Sequence, residues 1–147
     1  MIKFIPQTSN PMQEKFINCL MKDWKKTIAR KILNSCFEEL KTMWHKNPQE
    51  AFEKALNNVM PNVEVRAKRV WWAVYQIPVE VSEKRQMFLS IWWILNWARA
   101  KKWIPMHKRL AAELNDALSD TWTAFKKKEE VLRMAHANRA FAHFARY

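Results

Sequence analysis

The sequence contains no glycine at all, whereas glycine makes up about 7% of an ordinary domain. Without glycine the chain cannot form a Walker A loop, a GxGxxG dinucleotide turn or a GxSxG nucleophile elbow. The enzyme classes that depend on those loops are therefore excluded. Tryptophan, by contrast, occurs nine times.

Cysteine is also scarce, and the two residues Cys19 and Cys36 form no CxxC pair. The four histidines show no metal-ligand spacing with them, so we expect no metal and no cofactor. Both cysteines fall on apolar helix faces, which favours buried thiols. No apolar run approaches a membrane span, and the segment Met1–Pro11 is neither a signal peptide nor an Arg-rich transit peptide.

Positive charge dominates the composition. Lysine and arginine total 26 against 14 acidic residues, a net charge of +12, which indicates a polyanionic partner such as nucleic acid or an acidic membrane surface. A chain of 147 residues with a hydrophobic fraction of 49% is typical of a folded domain with a core. The alternative, in which the charge only aids solubility, is disfavoured because the basic residues cluster.

Hydrophobic periodicity predicts a mainly α protein of about six helices. Asn10 followed by Pro11 is a helix start, and Ser82 precedes a long fourth helix. We find no internal repeat and no dividing linker, so residues 1–147 are interpreted as a single helical domain that binds nucleic acid. The predicted bounds are a first helix from Pro11 with a break near Asp23, a second at about 26–44, a third between Pro48 and Pro61, a fourth to about Arg99, a fifth from Pro105 and a last at about 123–137.

One stretch, Val63 to Val81, departs from helical periodicity. Valines recur there at every second residue on both sides of a short middle, as in a β-hairpin. Pro78 lacks an amide donor and therefore requires an edge position. We predict a hairpin arm at about residues 62–82, between helices three and four. Because such an arm buries little surface, a bound partner is expected to stabilise it.

The basic residues form clusters that predict contacts with nucleic-acid phosphates. The first cluster, at the break and second helix, comprises Lys22, Lys25, Lys26, Arg30 and Lys31, for which an ordinary solvated helix face is the alternative. The arm cluster comprises Arg66, Lys68 and Arg69. The last helix and tail carry Lys126, Lys127, Lys128, Arg133, Arg139 and His143. The loop after the fourth helix adds Arg99, Lys101 and Lys102.

Two details of these clusters bear on the partner. The three lysines Lys126–Lys128 crowd the first turn of a helix, where the helix dipole disfavours cations, which indicates an anionic partner. Near the tip of the arm stand Trp71, Trp72, Tyr75 and Gln76, and aromatic rings beside cations are typical of stacking on unpaired bases. His143 and Phe144 have two interpretations, stacking on bases or packing of the tail.

Several short runs, in order along the chain, match one family. Near the N-terminus they are Lys15–Asn18 and Met21–Lys26 (except Trp24), followed by matches within Phe52–Pro61. In the arm they are Val63–Arg66 and the Tyr-Gln-x-Pro run at Tyr75. The most specific run is Arg133–His143. From about Glu14 to Phe144 the chain resembles the small ribosomal subunit protein seven family of bacterial and organellar type.

This resemblance implies a helical bundle with a β-hairpin between helices three and four, and no enzymatic activity. It also implies binding to the 3′ major domain of small-subunit rRNA, a start of head assembly, an arm near the exit-site tRNA and the mRNA path, and contact with ribosomal protein eleven. The alternative is a general basic nucleic-acid-binding architectural protein that uses the hairpin as a wedge. An RNA hydrolase would need converging carboxylates or an activated histidine, and neither spacing occurs.

At certain turn positions the family usually carries glycine, where this chain has Trp24, Trp71, Trp72, Trp103 and Trp122. Glycine at turns typically supplies a positive φ, which strains a tryptophan. Two hypotheses are open: divergence in an organellar genome, with stacking tryptophans at the arm, or codons assigned to the wrong residue. Strain of about 1–3 kcal/mol at each position favours the second. The same tryptophans, without a transit peptide, favour a ribosome of the mitochondrial matrix over one of a bacterial cytoplasm.

Overall fold

The structure is a computed structural model that describes residues 10–43, 45–119 and 123–146. Those residues form six α-helices, one 3₁₀ helix and one antiparallel pair of strands, which confirms the mainly α prediction. The elements are α1 (Pro11–Leu20), α2 (Lys26–Thr42), α3 (Pro48–Val59), β1 (Val63–Val70), β2 (Ala73–Glu80), α4 (Glu83–Ala100), α5 (Met106–Leu118), α6 (Thr123–Ala137) and the 3₁₀ tail helix (Arg139–Arg146).

Local sequence signals place most helix starts correctly. The side chain of Asn10 accepts a hydrogen bond from the Met12 amide at 3.2 Å, and Pro11 occupies the first turn of α1, as the capping rule predicts. Ser82 stands at the N-cap of α4, although its side chain makes no capping hydrogen bond. The predicted end of α2 at Trp44 lies outside the described residues, and the tail helix is an element that the periodicity did not predict.

The core lies between the first five α-helices, with α5 packed against α2, α3 and α4. Its centre is aromatic, since the ring of Phe52 meets those of Phe16 and Phe37 edge-on at centroid distances of 5.1 and 5.7 Å. Cys36 is fully buried, and this burial, with a smaller contribution from Glu39, raises the pKa of its thiol to about 12. The prediction of a buried thiol is thus confirmed for Cys36, while Cys19 is half-buried.

The predicted arm is a two-stranded hairpin between α3 and α4. Its register runs from Val63 opposite Glu80 to Val70 opposite Ala73, which leaves a two-residue turn at the tip. With only two strands in the sheet, both are edges, and Pro78 is accommodated as expected. Ile77 is buried, because β1 and β2 pack on α6 and β2 packs on the tail helix.

Three of the tryptophans at expected glycine positions have a positive φ. The values are 61° at Trp24, 59° at Trp71 and 72° at Trp103. The expectation is wrong for Trp72, which is not among the positive-φ residues. A two-residue hairpin turn of type II′ needs a positive φ only at its first residue, which here is Trp71. Trp122 lies outside the described residues.

A candidate RNA interface on the arm and the helix ends

The arm cluster combines exposed cations with side chains held by neighbours. Arg66 is exposed and pairs with Glu64, which also accepts from Arg85 at 3.3 Å. Arg69 is exposed, and its Nε donates to the carbonyl oxygen of Trp71 at 3.2 Å. Lys68 is half-buried because its Nζ donates to the carbonyl oxygen of Phe144 at 3.3 Å. Arg66 and Arg69 therefore lie at the surface, with the charge of Arg66 partly offset by Glu64, and Lys68 fastens the arm to the tail.

The tail helix lies across the arm through an aromatic cluster. The ring of Tyr75 is 5.0 Å from that of Phe141 and 5.5 Å from that of Phe144, centroid to centroid. His143 is exposed, with its ring 4.0 Å from that of Phe144. Of the two interpretations of this tail end, packing therefore describes Phe144, while His143 still faces solvent. The polar arm residue Gln76 is also exposed.

The last helix connects the arm to the body. Lys128 donates from Nζ to the carbonyl oxygen of Asn58 at the end of α3, at 2.7 Å. Lys127 pairs with Glu130 at 2.7 Å, and this hydrogen bond lowers the pKa of the Glu130 carboxyl. The exposed basic residues here are Lys126, Arg133 and Arg139. α6 contacts β1, β2 and the tail helix. The arm cluster and the basic residues of the last helix and tail therefore belong to one contiguous part of the molecule, which we call the arm–tail unit.

The first cluster divides into two parts. Lys26 and Arg30 both reach the carboxylate of the buried Glu14, each at 2.8 Å. This carboxylate already offsets much of their charge, so they are weaker candidates for phosphate contacts. The exposed members are Lys22, Lys25 and Lys31.

Arg99 lies in the last turn of α4 rather than in the predicted loop, and Lys101 and Lys102 follow the helix. Arg99 donates to the carbonyl oxygens of Cys19 and Leu20 at the end of α1, at 3.1 and 3.4 Å. Lys101 pairs with the buried Glu113 at 2.6 Å and with Asp116 at 3.7 Å. Lys102 is the exposed member of this set. Arg99 and Lys101 thus make contacts within the fold that their predicted place in a loop did not indicate.

One basic residue that the clusters omit occupies a prominent place. Arg109 on α5 donates from Nη1 to the carbonyl oxygens of Ala98 and Lys101, the former at 3.5 Å. It lines a cavity together with Lys22, Lys25 and Arg99. An arginine on an amphipathic helix, next to Lys108, carries no local signal of such a role. Only the packing of α5 against the end of α4 brings it there.

The described ranges 10–43, 45–119 and 123–146 offer no other type of site. They contain no group of three or more histidine, cysteine, aspartate or glutamate side chains placed to hold a metal ion. Across the same residues no helix is both long and apolar enough to span a membrane. The charged surface formed by the exposed cations of the arm–tail unit and the helix ends is therefore the main candidate site.

Comparison with known proteins decides the family. Residues 2–139 match the profile of the family described as ribosomal protein S7p/S5e. The chain belongs to this family. It is 49% identical over 139 residues to small ribosomal subunit protein uS7 of Thermotoga neapolitana, which covers 95% of this chain and 90% of the relative. The proteins of the same name from Thermosipho melanesiensis and Petrotoga mobilis are 50% and 52% identical, over 95% and 88% of this chain and 90% and 84% of theirs.

Membership of the S7p/S5e family confirms two predictions. The resemblance found in the sequence runs is genuine, and the family is one of ribosomal structural proteins, so the chain is not an enzyme. The expectation of a mitochondrial origin finds no support, because these relatives are bacterial.

Proposed function

We propose that this protein is a structural constituent of the small ribosomal subunit that binds the 3′ major domain of small-subunit rRNA and starts assembly of the head. Residues 1–147 act as one RNA-binding unit, and the arm reaches toward the exit-site tRNA and the mRNA path. Ribosomal protein eleven is the proposed protein neighbour. Family membership supports the ribosomal role, and the charge distribution supports the RNA contacts.

The observation that carries this proposal is the union of arm, α6 and tail helix in one part of the molecule. The exposed residues Arg66, Arg69, Arg133 and Arg139 all lie on these three elements. Arginine pairs with phosphate through several donors and stacks on unpaired bases. A surface of this kind favours folded RNA with single-stranded elements over a uniform duplex.

Binding to a transcript of the 3′ major domain, measured across a salt series, tests the proposal. The double variant Arg66→Ala/Arg69→Ala is expected to reduce the slope of log affinity against log salt by roughly 1.5, because each lost phosphate contact removes about 0.7–0.9. A matched control is Lys41→Ala/Lys54→Ala, which removes two exposed cations outside the clusters and should leave the slope nearly unchanged.

A generic polyanion binder would behave differently in the same assay. Equal affinity for the 3′ domain transcript and for a duplex of the same length would contradict the ribosomal role and support the architectural alternative. Equal slopes for the arm variant and the control would instead remove the arm from the interface.

A further inference from the structure

The cavity beside Arg109 lies where four helix ends meet. It has a volume of about 320 Å³, at the small end of the range of roughly 300–1,000 Å³ for ligand pockets. The ends of α1 and α4 and the starts of α2 and α5 surround it. Its apolar lining consists of Leu20, Met21, Ile28, Ala29, Ile32 and Met106. We call this cavity the helix-end cleft.

The rim of the helix-end cleft is strongly basic. Lys22, Lys25, Arg99 and Arg109 line it, against the single acid Asp23. Neither α2 nor α5 has an acidic residue in its first turn. The carbonyl ends of α1 and α4 lie at the same place and accept hydrogen bonds from Arg99 and Arg109, so Lys22 and Lys25 supply the exposed charge of the rim. An apolar interior with a cationic rim suits a ligand in which a flat ring system is linked to an anionic group.

We propose that the helix-end cleft holds one unstacked nucleotide of the bound RNA, with the base against Ile28 and Met106 and the phosphate beside Lys22 and Lys25. This inference rests on the proposed RNA-binding function and adds a base-holding site to it. Ile28 is 51% exposed at the mouth of the cleft, so a base placed against it would remove apolar surface of both partners from water. Unpaired bases that leave the stack are what single-stranded RNA elements offer to a protein.

Arg99 and Arg109 define the cleft rather than act as mobile phosphate ligands. Arg99 holds the last carbonyl groups of α1, and Arg109 holds those at the end of α4. Both guanidinium groups are therefore fixed in place before RNA arrives. A preformed site loses less side-chain freedom on binding.

The test compares Ile28→Asn with Met43→Asn in binding to the 3′ major domain transcript. Met43 is 36% exposed at the other end of the same helix, about 22 Å away along the helix axis. Ile28→Asn is expected to weaken binding about tenfold, as the loss of one held base would, with an unchanged salt slope. In chemical probing of the RNA, at least one base protected by the unsubstituted protein should become reactive. Ile28→Leu should retain both the affinity and the protection.

Three outcomes separate the possibilities. If the unsubstituted chain does not bind the transcript, the proposed function fails and the cleft proposal fails with it. If binding is normal and Ile28→Asn behaves like Met43→Asn, only the cleft proposal is overturned. If affinity falls but no base becomes reactive, the proposal is also overturned, and a peptide segment of a neighbouring protein becomes the occupant to examine.

A separate observation, the backbone at three tryptophans, carries a second inference. Trp24, Trp71 and Trp103 have a positive φ and are 91%, 79% and 99% exposed. A left-handed conformation costs a bulky residue about 1–2 kcal/mol, and such exposure offers little packing in return. Asp23, the other positive-φ residue among those described, is of a type that tolerates this conformation.

We infer that the protein made in its own cells carries glycine at positions 24, 71 and 103. The turn at the arm tip supports this most directly, because a two-residue turn with a positive φ at its first residue takes glycine there. The sequence has no glycine and nine tryptophans. This composition results if a codon that those cells decode as glycine is translated as tryptophan. The inference does not depend on what the protein binds.

Mass spectrometry of the protein purified from its own ribosomes tests this inference. Peptides that cover the three positions should each be lighter by the difference between a tryptophan and a glycine residue. The core residue Trp93 is 5% exposed within α4, and its peptide serves as the control that retains tryptophan. A tryptophan mass at any of the three positions overturns the inference for that position.

Discussion

The ring of Tyr75 on β2 lies 5.0 Å from the ring of Phe141 in the tail helix. The two residues are 66 positions apart in the chain, and their contact joins the arm to the tail helix. Lys68 adds a hydrogen bond to the carbonyl oxygen of Phe144 from the neighbouring strand. An isolated two-stranded hairpin is marginally stable in water, so the tail supplies order to the arm before RNA binds.

Phe141→Ala is therefore expected to loosen the arm. An aromatic pair contributes about 0.5–1.5 kcal/mol beyond its burial, so amide hydrogen exchange of β1 and β2 should become up to about tenfold faster. Exchange in α4 and α5 should not change. Trp72→Ala, which alters an exposed ring at the tip, is the control, and equal acceleration by both variants would show that the tail does not brace the arm.

Trp71→Gly is expected to stabilise the arm. Relief of the left-handed backbone is worth about 1–2 kcal/mol, from which the extra freedom of glycine in the open state subtracts about 0.5–1 kcal/mol. The net gain of about 1 kcal/mol should appear in the free energy of local opening, measured by amide exchange of the arm strands.

Trp72→Gly is the matched control for that change, because Trp72 is equally exposed but has no positive φ. It should give no gain, or a small loss. A gain of the same size from both variants would mean that removal of an exposed indole, and not relief of the backbone, accounts for the effect.

Substitution of Lys101 is expected to lower the free energy of unfolding, whereas substitution of its neighbour Lys102 is not. Lys101→Ala leaves the Glu113 carboxylate, whose side chain is 1% exposed, without its partner at 2.6 Å. Loss of one member of a buried pair costs about 3–5 kcal/mol, which we reduce to about 2 kcal/mol because Lys101 is one-third exposed and Asp116 remains nearby.

Lys102→Ala should change the free energy of unfolding by less than about 0.5 kcal/mol, since Lys102 is exposed. Urea unfolding measures both effects, and RNA binding is then compared at a temperature where both variants are folded. Equal unfolding free energies for the two variants would contradict the structural role of Lys101.

The sequence predicts those features of the fold and of the candidate site that depend on residues close together in the chain. Start signals such as Asn10–Pro11, and the alternation of valines in the arm, act within a few residues and place the α-helices and the hairpin, although not the 3₁₀ tail helix. The roles of Arg99 and Lys128 were not predictable locally, because their partners Cys19 and Asn58 lie 80 and 70 residues away. Clusters of cations in sequence therefore overestimate the exposed charge, since a lysine that pairs inside the fold looks the same as one that faces solvent.

The thiol of Cys36 is expected to make stability fall at high pH. Its pKa is raised from 9.0 to about 12 in the folded state, mainly by burial, so the unfolded chain loses this proton while the folded chain keeps it. The free energy of unfolding is therefore unaffected by this thiol below pH 9 and falls as the pH rises toward 12. The expected fall is about 1.4 kcal/mol between pH 8 and pH 10. Urea unfolding of the native chain and of Cys36→Ala over this range measures this loss. The free energy of unfolding of the native chain should fall relative to that of the variant as the pH rises. Cys19→Ala is the control, because Cys19 is less buried and its pKa is raised by less. Parallel stability curves for the native chain and Cys36→Ala would show that Cys36 does not retain its proton in the folded protein.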